Sequence, residues 1–476
     1  FKKIQKFNFK MNINLAKSEI IHFVGIGGIG MSGLALVMKG LGFKIQGSDK
    51  SLNKNVERLK KNNIKFFLGH ASSNIKKATI LVISSAIKNN NIEIKQAKRK
   101  HLPVYKRGDM LAHITSLKKN IVVSGSHGKT TTTSLIASIF AKAKLDPTII
   151  NGGVINSFEN SAKLGKSDWS ILESDESDGS FVKVPSTYAV VTNIDREHMD
   201  YYKSIDDLKK HFVKFMLKVP SFGKTFVCVD DKNNRDVCKK SKIKNILTYG
   251  LNKKSNFKIK NIIFQKNKSF FDVEMNLPNK KKSTLKKFQI PLIGVHNIKN
   301  ATAAIAVSYF IGISSKILRD SLKNFKGVER RFNKIFNYNG ADIYDDYAHH
   351  PTEIKEVIKG IKKSYKEKKI ICIFQPHRIS RLNDLKKEFC SSFKKAKSVI
   401  LCPIYKAGEN LKLNLDYYKF ADQITKKSKV QVFLVNNQND LANFLKHHLK
   451  SENIVIGMGA GSISNWIKEL PRLMKK

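Results

Sequence analysis

The residues of this chain best placed to do chemistry lie in Ile121-Val122-Val123-Ser124-Gly125-Ser126-His127-Gly128-Lys129-Thr130-Thr131-Thr132-Thr133. A β-branched run, read as a strand, ends in a glycine-punctuated turn. The turn hands a lysine and a hydroxyl to an Ala/Ile/Leu-patterned stretch that predicts a helix from Thr130 to about Lys142. Backbone N–H groups of such a turn, with the positive end of the helix, surround phosphates. Lys129 can reach the β- and γ-phosphates, and Thr130 can bind Mg²⁺. The first glycine stands closer to the lysine than in the common form of this loop. A strand before it and a helix after it are what make the short pattern a triphosphate site.

Carboxylates and a histidine follow where such a site needs them. Glu173 ends the strand-like Trp169-Ser170-Ile171-Leu172 and is followed by Ser174-Asp175-Glu176-Ser177-Asp178. A carboxylate at a strand end facing a phosphate loop is where nucleotide-bound Mg²⁺ finds a protein ligand. Ala189-Val190-Val191 then reads as a buried strand, leading through Thr192-Asn193-Ile194-Asp195 to His198, either a metal ligand or an ordinary polar residue. A second glycine motif lies near the N-terminus. Gly25, Gly27 and Gly30, with Gly28 between them, form G-x-G-x-x-G after the strand Ile21–Val24, and Asp49 closes the next strand. Glycines there let the backbone approach a diphosphate, and Asp49 can accept from a ribose hydroxyl. The pattern does not choose between a dinucleotide and a sugar nucleotide.

The elements that must position these groups fall into three α/β segments. From Ile20 to about Val104, apolar runs alternate with helical patterns, as in βαβ units on a parallel sheet. A polar, helix-bearing connector runs from Lys106-Arg107-Gly108 to Lys119-Asn120. The second segment reaches about Lys326, and its lysine-rich interior, Asn252 to Lys287, alternates like an exposed sheet with long loops. From Val328 onward, strand candidates Ile370–Phe374, Ser398–Cys402, Val430–Val435 and Ile454–Gly457 alternate with helical stretches. The expected boundaries are 11–118, 119–327 and 328–476, and 476 residues are ample for several cores.

Lys and Arg number 88 against 38 Asp and Glu, a formal net charge of +50 that raises nucleic acid or an acidic membrane as partners. The lysines are spread over the whole chain among Asn and Ile, without an RNA-reading aromatic motif, zinc-finger spacing or basic heptads. No specific nucleic-acid partner is expected, only weak attraction for anions. The five cysteines show no C-x-x-C pair, which fits a reducing cytoplasm. No apolar run approaches the length that spans a bilayer. Phe1 to Lys10 is basic but lacks the apolar core of a signal peptide, and Met11 reads as the natural start.

Eight segments in one order resemble the ATP-dependent Mur ligases of peptidoglycan synthesis. They are the N-terminal glycine motif, the Gly125-to-Thr133 loop, Glu173-Ser174-Asp175-Glu176-Ser177-Asp178, and Thr192-Asn193-Ile194 with His198-Met199-Asp200. His296-Asn297-Ile298-Lys299-Asn300, Arg330-Arg331-Phe332, Asp345-Asp346-Tyr347-Ala348-His349-His350-Pro351 and Phe374-Gln375-Pro376-His377-Arg378 complete the set. The resemblance covers about Ile20 to the C-terminus. It implies an α/β fold of three domains: an N-terminal Rossmann-like sugar-nucleotide domain, a central P-loop ATPase-like domain and a C-terminal Rossmann-like domain.

The resemblance also implies roles. Gly125, Ser126, His127, Gly128, Lys129, Thr130 and Thr131 would cradle ATP, with Thr130 and Glu173 on one Mg²⁺ and His198 on a second. Asn297 and Asn300 would contact the nucleotide, and Arg331 and Asp346 would close over it. Gly25, Gly27, Gly28, Gly30, Asp49, Ser84, Ser85 and Ala86 would hold the UDP portion of the substrate. His349, Arg378 and Arg381 would orient the incoming amino acid and the acyl group. The implied substrates are UDP-N-acetylmuramate and L-alanine, joined through an acyl phosphate in the first amino-acid addition. A cytoplasmic monomer or weak dimer is expected.

The chain departs from the family pattern at a few places. Ser126 stands where threonine is usual, and Asn333 where an acid is expected, which puts a local salt bridge in doubt. Ser161 interrupts a usual Asn-Ala, leaving its role open. Related ligases use a carbamylated lysine between the metals; Lys214 lies downstream of His198 at suggestive spacing, yet reads as an ordinary helix residue. A sister ligase that reattaches a recycled tripeptide would carry tyrosine in place of Ser177. A nucleic-acid-binding protein would rest on charge alone, and a dinucleotide oxidoreductase explains only the first glycine loop.

Overall fold

The computed structural model describes residues 18–241, 243–409, 411 and 416–475; the Phe1–Lys10 stretch and Met11 lie outside the described residues. Two compact units emerge, one of residues up to Asn256 with Ala303–Leu318, the other of Phe257–Thr302 with Arg319 onward.

The first unit holds two sheets. Strands β1 (Ile20–Val24), β2 (Lys44–Asp49), β3 (Lys65–Leu68), β4 (Ile80–Ile83) and β5 (Val104–Lys106) lie in the order β3-β2-β1-β4-β5, all parallel. Helices α1 (Ile29–Gly40), α2 (Lys54–Lys61), α3 (Ile92–Arg99) and α4 (Arg107–Thr115) connect or follow them. β1 shows no polar–apolar alternation in burial and is buried from Ile21 to Val24, His22 included, as a strand covered on both faces must be. The strand order reverses at β1. The glycine loop after β1, Asp49 at the end of β2 and Ser84 after β4 therefore share the carboxyl edge, where parallel sheets bind ligands.

The second sheet of this unit contains β6 (Lys119–Ser124), β7 (Thr148–Ile155), β8 (Asn160–Lys163), β9 (Trp169–Glu173), β10 (Tyr188–Val191), β11 (Lys224–Cys228) and β12 (Ile246–Gly250). Their order is β12-β11-β10-β6-β9-β7-β8, parallel except for the β7/β8 hairpin. Helices α5 (Lys129–Lys142), α6 (Ile205–Leu217) and α7 (Lys232–Lys240) accompany it. β6 runs between β9 and β10, so the loop after it is walled by the ends of both. Helix α1 packs on β7 and β8. A Cβ on its Gly33 would come 3.1 Å from that of Ala162 and 3.5 Å from Ser161 Oγ, so Ser161 serves this packing. Lys214 is exposed on α6.

In the second unit, β13 (Phe257–Gln265), β14 (Lys268–Met275) and β15 (Ser283–Ile290) form an antiparallel meander. This is the expected lysine-rich sheet, but its first connection is a tight turn of Lys266 and Asn267 rather than a long loop. Helices α8 (Val295–Phe310) and α9 (Ser315–Lys323) follow, and each carries residues of both units. The last sheet contains β16 (Asn333–Tyr338), β17 (Ala341–Asp346), β18 (Lys369–Phe374), β19 (Ser398–Leu401), β20 (Gln431–Leu434) and β21 (Asn453–Met458). The order is β16-β17-β21-β18-β19-β20, parallel apart from the β16/β17 hairpin. The apolar runs that predict the other strands are missing from β16 and β17, whose polar residues hide them. Helix α10 (Pro351–Ser364) starts at a capping box of His350 and Glu353, with proline in its first turn.

Candidate active site

The loop from Gly125 to Gly128 is bound to the segment that follows β10. Ser126 N–H donates to Asn193 O at 3.0 Å and His127 N–H to Asn193 Oδ1 at 2.8 Å. In return, Thr192 Oγ1 and Asn193 Nδ2 both donate to His127 O, at 2.7 and 2.9 Å. Ser126 Oγ accepts from Asp195 N–H at 2.8 Å, so the hydroxyl at this position is hydrogen-bonded. The His127 ring meets Asp195 Oδ2 at 3.0 Å. Gly125 has φ +136° and its absent Cβ would fall 2.1 Å from Thr192 Oγ1, so no other residue fits. Thr131 is buried on α5.

Lys129 turns back into this loop. Its Nζ donates to Gly125 O and to Glu176 Oε2, each at 2.7 Å, with Asp175 at 4.0 Å. Burial works against the charge, but Glu176, Asp175 and Glu173 outweigh it and raise the amine above the ordinary lysine value. Thr130 Oγ1 donates to Glu173 Oε1 at 3.1 Å, while Gly152 N–H donates to the other oxygen at 2.6 Å. Thr130 and Glu173 are thus neighbours, as the sequence predicts.

His198 belongs to a different group. It sits in the left-handed region at φ +58°, with Nε2 3.8 Å from Glu176 Oε1 and from Glu197 Oε2. Donor atoms of Asp175, Glu176 and His198 all lie within 4.8 Å of one another. Glu176 is fully buried and links Lys129 to His198, a role that spacing alone did not single out from the other acids of the run. Among the described residues its Oε1 has no hydrogen-bond partner. A buried carboxylate oxygen left so is costly unless a cation meets it. The carboxylate pair with an imidazole therefore fits a divalent ion, and Mg²⁺ would fill the rest of its shell with oxygen.

At the first sheet, Asp49 Oδ2 accepts from Gly27 N–H at 2.9 Å, so the acid orders the glycine loop besides any ligand role. A Cβ on Gly25 would lie 3.1 Å from Ser84 Cβ, which brings the turns after β1 and β4 into contact. Ser84 Oγ accepts from Ala86 N–H at 3.3 Å, and Ser85 is exposed. Gly28 caps α1 from an extended conformation. Behind the loop, fully buried Glu93 accepts from Ser48 Oγ at 2.6 Å and Asn74 Nδ2 at 2.7 Å, and meets His70 Nδ1 at 3.0 Å.

In the second unit, Arg330 Nη2 donates to Gly459 O at 2.7 Å, and its guanidinium lies 4.8 Å from the Tyr347 ring centre. Arg331 lies 5.2 Å from that centre and 3.7 Å from Glu353. Asn333 Oδ1 accepts from Arg331 N–H at 2.8 Å, a hydrogen bond where the family pattern has an acid. Both oxygens of Asp346 take backbone N–H groups, from Phe332 and Ala348, each at 2.8 Å. Burial lifts its carboxyl to about 6, against the pull of Arg331. His349 Nδ1 bonds Tyr347 O at 2.9 Å, Arg381 Nη1 lies 3.2 Å from His377 Nδ1, and Arg378 Nε 3.2 Å from Glu409. Burial, then His349, Arg381, Arg378 and Arg330, lower His377 to about 3. This cation-rich group suits a small anion. On α8, Asn297 Nδ2 donates to Ile293 O at 2.8 Å, and Asn297 Oδ1 accepts from Asn300 Nδ2 at 3.4 Å.

Three family descriptions match consecutive parts of the chain. Residues 20–119 match the Mur ligase family catalytic domain, 123–308 the Mur ligase middle domain and 330–461 the Mur ligase glutamate ligase domain. A UDP-N-acetylmuramate–L-alanine ligase of Pelagibacter ubique (strain HTCC1062) is 64% identical over 464 residues, which cover 98% of this chain and 100% of that relative. Among solved structures, the UDP-N-acetylmuramate-alanine ligase of Thermotoga maritima has a TM-score of 0.80 at 25% identity, covering 96% of this chain and 99% of its own. A murein peptide ligase from Psychrobacter arcticus reaches 0.72 at 23% identity, over 96% and 98%, a likeness of fold alone.

Proposed function

The chain belongs to the Mur ligase family, and we propose that it joins L-alanine to the lactyl carboxylate of UDP-N-acetylmuramate with cleavage of ATP. It is a ligase of peptidoglycan precursor synthesis. The observation that carries the substrate assignment is the 64% identity to the Pelagibacter ligase along its entire length. We keep the functional boundaries at 11–118, 119–327 and 328–476.

A carboxylate is a poor electrophile, so it must first become an acyl phosphate. A lactyl oxygen attacks the γ-phosphorus as the bond to ADP breaks. The alanine amine, after losing a proton, attacks the acyl carbon and phosphate leaves. Phosphoryl transfer asks mainly for positioning and charge neutralisation. We assign the first to Gly125, Ser126, His127, Gly128, Thr130 and Thr131, with Asn297 and Asn300 on the nucleotide. Neutralisation is assigned to Lys129 and Arg331. Asp346 shapes the turn that carries Arg331, since it fixes the backbone N–H of the next residue, Phe332.

Thr130 with Glu173, and His198 with Asp175 and Glu176, are the two sets we assign to Mg²⁺. The ions, when bound, would offset charge on the phosphates and the carboxylate. The glycine loop, Asp49, Ser84 and Ser85 are assigned to the UDP portion, and His349, Arg378 and Arg381 to the amino acid. No helix of the described residues is long and apolar enough to cross a membrane. We place the enzyme in the cytoplasm, where its nucleotide substrates are.

Phosphate release from ATP and UDP-N-acetylmuramate, measured with L-alanine, glycine, L-serine or the recycled tripeptide in turn, tests this reading. Turnover is expected with L-alanine. Turnover that requires the tripeptide, or that ignores the amino acid, overturns it.

A further inference from the structure

Arg107 follows β5 directly and opens α4. β5 pairs with β4 in the register Ile83↔Lys106, so Arg107 leaves the sheet at the same carboxyl edge as the glycine loop and Ser84. Its side chain lies on that loop. A Cβ on Gly30 would come 3.3 Å from Arg107 Nη1 and 3.4 Å from its Cδ. The third glycine of the motif is therefore the one that admits this guanidinium.

The placement is fixed from the other side as well. A Cβ on Gly108 would fall 2.3 Å from Ser180 Oγ, so the start of α4 rests on the turn that follows the acidic run. Lys183 Nζ meets Asp109 Oδ1 at 2.6 Å across the same contact. Arg107 is also one of the cations, after Lys129 and His198, that favour the ionised form of Asp175. Its charge thus lies between the glycine loop and the phosphoryl-transfer acids.

Among the described residues, the Arg107 side chain makes no hydrogen bond or ion pair. An unpaired surface lysine is ordinary in a chain of net charge +50. A half-buried arginine laid on a glycine loop is different, because its planar fork is held where an anion on that loop would meet it. Asp49, at the end of β2, lies 2.9 Å from Gly27 N, a negative charge that a bound diphosphate would have to tolerate. A fixed cation on the same loop offsets it.

We infer that Arg107 clamps the diphosphate of the sugar nucleotide, its planar fork taking non-bridging oxygens while the loop N–H groups take others. The inference rests on the ligase reading for the identity of the nucleotide. Because α4 also rests on the turn after the acidic run, the clamp sets how far the substrate reaches toward Lys129.

UDP is the probe, since it carries the diphosphate and lacks the lactyl carboxylate. Arg107→Gln is expected to weaken UDP and UDP-N-acetylmuramate by the same factor, on the order of tenfold to a hundredfold. ATP affinity should stay at the wild-type value, and Arg107→Lys should recover part of the loss. Unchanged UDP affinity in Arg107→Gln overturns the inference, even if the KM for the full substrate rises. Should that variant fail to fold, Arg107→Met keeps the stem on Gly30 without the charge and is read the same way. A wild-type protein that binds UDP but shows no alanine-dependent turnover sinks the ligase reading alone.

Discussion

The glycine loop after β1 and the phosphate loop after β6 are the same local object, a parallel strand turned through glycine into a helix. They solve the problem of holding phosphate differently. The second carries its cation within the loop, as Lys129, and surrounds it with carboxylates from the end of β9 and the run after it. The first has no lysine of its own; its cation, Arg107, comes from the end of β5, and its acid, Asp49, from the end of β2. A loop with its own charge can be buried and densely bonded, as the hydrogen bonds from Thr192, Asn193 and Asp195 show. The loop that borrows its charge is tied down too, with Gly27 N–H on Asp49 and Gly27 O accepting from Asn53 and Asn55, so the two loops differ in where the cation comes from.

The largest effect that could break this comparison is expected at Lys129. Lys129→Ala should lower kcat by about 10³-fold or more while the sugar nucleotide binds as before by calorimetry. Activity within tenfold of wild type would remove the second loop from phosphoryl transfer. Next comes Glu176→Gln, expected to cost about 10²-fold in kcat and to raise the Mg²⁺ concentration for half-maximal rate. Asp49→Asn should instead change only the KM for UDP-N-acetylmuramate; an equal loss of kcat in both would erase the distinction between the loops. The Arg107→Gln experiment ranks third.

The smallest effect concerns pH. Burial pushes Glu93 upward, but His22, Ser48 and Asn74 outweigh it and hold the carboxyl near 2, below its ordinary 4.5. A depressed acid stabilises the fold above its unfolded value, and that stabilisation is lost as pH falls from about 4.5 toward 2. Glu93→Gln should remove this acid limb from a thermal-unfolding profile and cost on the order of 2–3 kcal/mol at neutral pH. Lys129 has the opposite sign. Its raised amine contributes fully at neutral pH, and the contribution fades only at strongly alkaline pH. A neutral-pH transition that disappears in Lys129→Met would contradict that.

Much of this was legible in the chain because it is local. Apolar runs of β-branched residues gave β1, β6, β9 and β10, and glycine spacing placed both loops at their ends. The polar strands β16 and β17 were hidden because ladder pairing, with β16 at the sheet edge and β17 between β16 and β21, holds them without an apolar run in the sequence. Three site features were also hidden. Glu176, rather than Glu173, takes Lys129 and stands beside His198, although all the acids of that run look alike in sequence. Arg107 reads as one basic residue among many in a polar connector. His377 stands beside Arg378 in the sequence, but its stacking against Tyr405 does not show there.

By itself, then, the sequence determined the apolar strands, the helices beside them, the two phosphate-ready turns and the kind of charge each site contains. Backbone propensity and hydrophobic period act over a few neighbouring residues, so they leave their mark in consecutive letters. Which carboxylate meets Lys129, and which cation meets Gly30, was decided only by tertiary structure. Those partners are 47 positions apart in the first case and are joined through separate strands in the second, so strand order and register choose them. Burial then turns that choice into energy, because a charge removed from water keeps only the partners the fold has placed beside it.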